Sequence, residues 1–123
     1  MLDHVTLGVI SLTRSTEFYD RALQPLGIER LSREGRKFVG YGANGKAFFW
    51  IGERDEVVSS THVAFGAPDR MAVDTFHAAA IAAGGHDNGK PGLRPRYHHH
   101  YYGAFVLDPD GHNIEAVSHS PLA

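Results

Sequence analysis

The sequence predicts an α+β fold made of two βαβββ modules, and an internal repeat is the first observation behind that prediction. Residues 4–9 (HVTLGV) and 62–67 (HVAFGA) share the pattern His-Val-x-apolar-Gly-small. The same offset continues downstream, where three further pairs match: Phe18 with Phe76, Ala22 with Ala80, and Gly27 with Gly85. Self-similarity of this kind marks a duplicated supersecondary unit. We therefore expect one module at about 1–54 and a second at about 58–123, within a single domain spanning 1–123.

A hairpin signal that closes each module is the second observation. Asn44-Gly45 and Asp108-Pro109-Asp110-Gly111 each lie between two β-prone stretches. Asn, Asp and Gly tolerate the positive φ that hairpin turns require, and Pro presets the first turn position. The predicted strands are 3–9, 28–33, 36–42 and 46–52 in the first module, and 60–66, 102–107 and 112–118 in the second.

One helix is predicted in each module. In the first, Ser11 or Thr13 can cap a segment whose apolar residues recur at helical spacing, and Gly27 follows its end. In the second, Asp69 is the cap and Gly84-Gly85 is the stop signal. Between this helix and the closing hairpin we expect a long polar loop, Asn88 to Tyr101. Loops of this length in compact domains are usually functional or mobile.

Composition excludes several classes of function. A chain of 123 residues is long enough for one domain with a real core. The net charge of −2 gives no basic field for nucleic acid or an anionic membrane. No apolar run approaches the ~20 residues that span a bilayer. The absence of cysteine excludes disulfides, thiolate metal sites and a cysteine nucleophile, and it fits a cytoplasmic protein.

A carboxylate interrupts the apolar closing strand. Glu115 stands between Ile114 and Ala116, so the two-residue period of a strand places it on the opposite face from both. Burying a carboxylate is costly unless a cation or a hydrogen-bond donor partners it. The alternative is a solvent-facing Glu115. The histidines of the repeat favour the functional interpretation.

His4 and His62 occupy the same place in the two modules. If the modules pack through their related strands, the two imidazoles approach each other and Glu115 can complete the set. Two His and one carboxylate bind divalent Fe, Mn, Co, Ni or Zn and leave coordination positions open. The alternative is that each His is a hydrogen-bonded core residue. We therefore predict one divalent metal ion held by His4, His62 and Glu115.

The segment 94–102 (RPRYHHHYY) leads directly into the hairpin that carries Glu115. Arg94 and Arg96 could bind an anionic substrate, and His100 and Tyr102 are the acid–base candidates because they adjoin the strand. The alternative is a solvated loop whose histidines bind adventitious metal.

Two residues of the first module complete the predicted substrate site. Thr6 shares a strand face with His4, so its hydroxyl could donate to substrate, with β propensity as the simpler explanation. Phe49, with Trp50, is expected to build an apolar wall of the cavity or the core.

These motifs resemble the vicinal oxygen chelate superfamily, which includes glyoxalase I, extradiol dioxygenases and bleomycin-resistance proteins. HVTLGV at 4–9 is similar to its first metal strand, THVAF at 61–65 to its second, and DPDGHNIE at 108–115 to its closing signature. The resemblance implies βαβββ modules with mixed sheets curled around a cleft, and His4, His62 and Glu115 as metal ligands. It also implies a homodimer whose sites can draw on modules from both chains, and it leaves open which chain supplies which ligand. The metal ion it implies chelates two neighbouring oxygens of a small molecule.

The resemblance favours a glyoxalase-type lyase or isomerase, with an extradiol-type dioxygenase as the alternative enzyme. A ligand-sequestering protein of the bleomycin-resistance kind is the alternative without catalysis. Single-module-type glyoxalase I carries a further Glu on the last strand of the first module. The repeat places its equivalent near Phe49, where this chain has no carboxylate.

Overall fold

The computed structural model describes residues 1–58 and 61–122, and in this part of the chain it contains ten main elements. The first module consists of β1 (Val5–Val9), α1 (Leu12–Leu23), β2 (Glu29–Glu34), β3 (Phe38–Ala43) and β4 (Lys46–Glu53), and the second of β5 (His62–Gly66), α2 (Arg70–Ala82), β6 (His86–Leu93), β7 (Tyr102–Leu107) and β8 (Asn113–Ser118). The predicted α+β class with two βαβββ modules is confirmed. The predicted start of β5 at residue 60 lies outside the described residues.

Each module forms one four-stranded mixed sheet, with strand orders β1-β4-β3-β2 and β5-β8-β7-β6. The opening strand of each module runs parallel to its closing strand, and the other neighbours are antiparallel. The two topologies are identical, as the repeat predicts. Neither sheet closes into a barrel, so each keeps an open face.

The helix caps agree with the sequence signals. The Ser11 side chain accepts a hydrogen bond from the Arg14 amide at 3.2 Å, which decides between the two candidate caps of α1. Asp69 accepts from the Ala72 amide at 2.8 Å at the start of α2. After α1 the chain makes a short 3-10 turn, and Gly27 ends it in the left-handed conformation, with φ of 77°.

Strand β6 lies partly inside the segment that we predicted to be loop. It pairs with β7, and its register shifts between Asp87 and Gly89 and again between Gly89 and Gly92. Its sequence, HDNGKPGL, has no apolar alternation, because an irregular edge strand with Pro and Gly need not bury one face. Pattern analysis therefore cannot detect it. The loop that remains runs from Arg94 to Tyr101, and a backbone hydrogen bond of 2.7 Å between these residues closes it.

The core lies between the helices and the helix-facing sides of both sheets. Phe18 of α1 and Phe76 of α2, a matched pair of the repeat, are both fully buried. Phe49 of β4 meets Phe65 of β5 edge to face, with ring centroids 5.1 Å apart. One cluster of buried residues thus spans the two modules. Because the helix sides pack together, the opposite faces of the sheets stay available for a site.

Neither helix in the described part of the chain is long and apolar enough to cross a bilayer.

Polar contacts join the modules beside this core, among them one from Asp108 and one from His112. The Tyr19 hydroxyl of α1 donates to the buried Asp108 carboxylate at 2.5 Å. Nε2 of the buried His112 lies 2.7 Å from the carbonyl oxygen of Gly8 in β1. Burial, followed by the nearby Asp108 carboxylate, raises the pKa of Tyr19 well above its usual value, so the phenol remains a donor. The turn that sets up β8 is thereby anchored to the first module.

Replacing Tyr19 with Phe is expected to destabilise the fold by roughly 1.5–3 kcal/mol, because a buried carboxylate loses a hydrogen-bond donor. Urea unfolding measures the change. The matched control is Tyr97→Phe, whose side chain is exposed and whose effect should stay within about 0.5 kcal/mol. Equal stability of the two variants would show that the Tyr19 contact does not stabilise the junction.

Candidate metal centre

A histidine and a buried carboxylate meet on the open face of the second sheet. Glu115 pairs across the sheet with Ala64, two residues beyond His62. Nε2 of His62 lies 2.8 Å from Oε1 of Glu115. The Glu115 side chain is 1% exposed, whereas that of His62 is 50% exposed. The carboxylate is therefore buried with a partner, and the imidazole beside it faces outward.

Tyr101 contacts the second oxygen of the same carboxylate. Its hydroxyl donates to Oε2 of Glu115. Burial, followed by this hydrogen bond, raises the pKa of Tyr101 well above its usual value of 10.0, so the phenol donates throughout the physiological range. Gly103 leaves room for the contact, since a Cβ atom there would lie 3.2 Å from Oε2. Sequence analysis favoured the neighbouring Tyr102 for a role near the site.

His4 belongs to a separate group on the first module. It precedes β1 and is exposed, with Nδ1 2.8 Å from Oδ1 of Asp3. The Lys46 ammonium lies 2.9 Å from the same oxygen, and it is the main cause, ahead of His4, of a lowered pKa at Asp3. A hollow of about 260 Å³ on the open face of the first sheet is lined by His4, Thr6, Glu34, Phe38 and Trp50. Thr6 thus shares the face of His4.

A single chain does not bring the three predicted ligands together. Within residues 1–58 and 61–122, no group of three or more His, Asp or Glu side chains is placed to hold a metal ion. The predicted ligand set therefore stays a prediction, which left open whether one chain or two chains supply the ligands. Within one chain, the modules pack through helices and helix-facing sheet sides, and the histidines lie on other strand faces. His62 and Glu115 remain as two donors of the kind that divalent transition metals accept.

The register of the first sheet identifies the counterpart of Glu115. Thr6 pairs with Trp50, just as Ala64 pairs with Glu115. Trp50 therefore occupies the place of the further carboxylate, one residue from the predicted position. Phe49 has no exposed surface and lies in the core, so the apolar wall on the open face is formed by Trp50.

An apolar cavity of about 450 Å³ adjoins His4, between the start of β1 and β5. Besides His4 it is lined mainly by aliphatic and aromatic side chains, including Leu2, Val5, Phe48, Val63 and Phe65. Leu2 is 87% exposed although it is a large hydrophobic residue. This end of the molecule thus presents an apolar surface beside the first imidazole.

The Tyr102 side chain lies on the opposite face of the second sheet from that of Glu115. Its hydroxyl donates to the Asp74 carboxylate of α2 at 2.6 Å, and the Arg70 guanidinium lies 5.2 Å above its ring. Strand parity explains the placement, because Tyr101 shares the face of Phe105, which pairs directly with Glu115. In this chain Tyr102 therefore braces the helix.

The two arginines of the loop differ in their contacts. Arg94 donates to the carbonyl oxygens of Gly92 and Lys90 at 2.9 and 2.8 Å, and its guanidinium lies over the Phe105 ring. It therefore shapes the loop. Arg96 is exposed and donates to the Tyr97 hydroxyl at 3.1 Å.

The loop gathers four imidazoles. The rings of His98, His99 and His100 are 4.0–5.7 Å apart, and His119, beyond β8, lies 5.9 Å from His98. Partial burial, followed by the neighbouring His99 and His98, lowers the pKa of His100 from its ordinary 6.5. His100 is therefore mostly neutral at pH 7.

A family model, Glyoxalase/Bleomycin resistance protein/Dioxygenase superfamily, matches residues 1–116. The chain belongs to this superfamily. A solved structure of a glyoxalase/bleomycin resistance protein from Albidiferax ferrireducens is similar to it, with 31% identity and a TM-score of 0.82 over 96% of this chain and 98% of the other. The superfamily's two-module fold is thus shown by sequence and structure together.

Two more distant structures share the fold. A glyoxalase-related enzyme from Fulvimarina pelagi has 22% identity and a TM-score of 0.73, over 96% of this chain and 87% of its own. The lactoylglutathione lyase from Agrobacterium tumefaciens has 17% identity and a TM-score of 0.68, over 96% and 92%. At these identities the likeness to either superfamily member shows the fold alone.

His100 is expected to take up its proton below pH 6.5, the ordinary midpoint. Since its folded-state pKa is lowered, the unfolded chain binds this proton first, and the effect on stability is adverse as pH falls through 6.5. Nuclear magnetic resonance of the imidazole carbons gives the midpoint. In His99→Asn the midpoint should rise towards 6.5, because a neighbouring charge is removed. A midpoint at or above 6.5 in the unsubstituted chain would contradict the assignment.

Proposed function

We propose that the protein is a divalent-metal enzyme that chelates neighbouring oxygens of a small substrate, most similar to glyoxalase-type lyases and isomerases. The observation that carries the proposal is the contact between His62 and the buried Glu115 on an open sheet face. A strand carboxylate that is buried beside an outward-facing imidazole supplies two metal-ligand types in one place. Membership of the superfamily supports the same chemistry.

We propose further that the site is completed in a homodimer, with His4 of one protomer facing His62 and Glu115 of the other. Support comes from the separation of these residues within one chain. Each module offers an open face, and the exposed Leu2 and the apolar cavity beside His4 suit burial against a second copy. A twofold dimer contains two such sites because each protomer presents both faces.

When bound, Zn, Ni, Co, Mn or Fe would act as a Lewis acid that stabilises negative charge developing on the substrate oxygens. His62 and Glu115 would hold it from one wall and His4 from the other. Thr6 would donate its hydroxyl to substrate from the His4 wall, and Trp50 would exclude water there. We place the enzyme in the cytoplasm, which suits a chain without cysteine.

The loop after β6 would contribute from the second module. His100, mostly neutral at pH 7, is the proposed proton acceptor, and the exposed Arg96 is the proposed contact for an anionic substrate. Arg94 and Tyr102 support the site through the loop and α2, since their polar groups bind protein atoms.

An extradiol-type dioxygenase is the second candidate. The observation that favours it is the position of Trp50, which matches that of Glu115 in the second module. Because Trp50 occupies the place of a second carboxylate, the proposed ligand set is two His and one carboxylate. That set with open positions is the one used by non-haem Fe(II) oxygenases. A ligand-sequestering protein without catalysis would need no ion at these residues.

Metal analysis tests the ligand set. Protein purified without nickel resin is expected to hold about one ion per chain, which His4→Ala, His62→Ala and Glu115→Gln each release. The matched control is His99→Ala, which removes an imidazole from the loop cluster and should retain the ion. An ion that is lost only in the control variant would assign binding to the loop cluster and contradict the proposal.

Mixing variants tests whether the site is shared. Neither His4→Ala nor Glu115→Ala should bind metal alone. Co-refolded in equal amounts, they should recover about one quarter of the wild-type sites, since half of the dimers are mixed and each mixed dimer has one intact site. No recovery, with dimers confirmed by light scattering, would show that the ligands do not meet across an interface.

The reaction class is tested with the metal-loaded dimer. We expect isomerisation of a thiol–aldehyde adduct, followed by absorbance, that falls at least about 100-fold in Glu115→Gln. Oxygen uptake with catechols and no isomerisation would establish the dioxygenase. Tight ligand binding with neither activity would establish the sequestering protein.

A further inference from the structure

The two oxygens of Glu115 have different partners. Nε2 of His62 lies 2.8 Å from Oε1, and the Tyr101 hydroxyl donates to Oε2. From this division we infer that Tyr101 is a positioning residue that holds Glu115 so that it binds metal through Oε1 alone. The inference rests on the proposed metal site and names a residue for which neither the motifs nor the comparisons give a role.

Tyr101 is itself held on two sides. Its amide donates to the His98 carbonyl at 3.0 Å, and its carbonyl accepts from the Arg94 amide at 2.7 Å. Its ring packs 5.3 Å from the His119 ring at 88° and 5.0 Å from the Tyr97 ring. A hydroxyl on such a support has little freedom to leave Oε2. The loop therefore fixes the direction of the carboxylate.

The strand beneath is shaped for this contact. A Cβ atom on Gly103 would lie 3.2 Å from both Oε2 of Glu115 and Cε1 of Tyr101. Both distances are shorter than ordinary van der Waals contacts. Any side chain at this position would therefore require the phenol ring or the carboxylate to shift by a few tenths of an ångström, and glycine leaves both in place.

Occupation of Oε2 restricts how the carboxylate can bind an ion. Two-oxygen binding suits large, flexible coordination such as that of calcium. One-oxygen binding uses fewer positions and leaves more of them to substrate oxygens, as chelation of two neighbouring oxygens requires. Hydrogen-bond partners that orient ligands typically change metal affinity by about 10–100-fold.

The test compares two adjacent tyrosines. Tyr101→Phe removes only the hydroxyl that contacts Glu115, and Tyr102→Phe removes only the hydroxyl that contacts Asp74. In competition titrations with zinc and a chromophoric chelator at fixed pH, Tyr101→Phe should bind about 10–100-fold more weakly than wild type. Tyr102→Phe should bind as wild type does. Visible spectra of the cobalt forms should change only in Tyr101→Phe.

A second variant, Gly103→Ala, places a methyl group against the same contact between Tyr101 and Glu115. It should weaken zinc binding in the same direction, and it keeps the inference testable if Tyr101→Phe does not fold. Circular dichroism and light scattering confirm that each variant is a folded dimer before titration. Affinities and cobalt spectra equal to those of wild type in the folded variants would overturn the inference, as would tighter binding in Tyr101→Phe.

The outcomes also separate this inference from the proposed function. If wild type holds zinc, His62→Ala loses it and Tyr101→Phe holds it equally well, the metal site stands and the role of Tyr101 falls. If wild type holds no zinc that depends on His62, both fall.

Discussion

Burial of one carboxylate is the constraint on which the candidate site depends. Glu115 is 1% exposed in a strand whose neighbours Ile114 and Ala116 are fully buried. A carboxylate in such a place is tolerated only with hydrogen-bond or charge partners. His62 from the parallel neighbour and Tyr101 from the preceding loop provide them. The path of the loop brings Tyr101 to this carboxylate, and the glycine at 103 leaves room for the contact.

The fold explains why this group faces outward and lacks a third ligand in its own chain. Each βαβββ module has one helix, which can cover only one side of its sheet. Both covered sides join in one core that includes Phe49 and Phe65. The uncovered sides carry the candidate ligands, with His4 on one and Glu115 on the other. In the proposed dimer, a second copy would join the two halves of the site.

The regular spacing of apolar residues and the internal repeat made most of the fold predictable. Segments without such spacing could not be predicted. The repeat predicted two equal topologies, and alternation separated Glu115 from Ile114 and Ala116. Strand β6 was not predicted because its sequence, HDNGKPGL, has no alternation of apolar and polar residues. Tyr102 is one residue from Tyr101, which contacts Glu115, and the predicted counterpart of Glu115 near Phe49 is one residue from Trp50. A shift of one residue reverses the face of a strand, and the sequence gives no independent anchor for the face at Tyr101 or Trp50.

The difference between the duplicated faces bears on the chemistry. One face carries Glu115, and the matching place on the other carries Trp50, so a site joined as proposed would have one carboxylate and one aromatic wall. Two neutral imidazoles and one carboxylate would leave a divalent ion with a net charge of about +1. A second carboxylate at the Trp50 position would cancel that charge. In the proposed site, the retained charge would favour substrates with an anionic oxygen, and the indole would strengthen this attraction by excluding water.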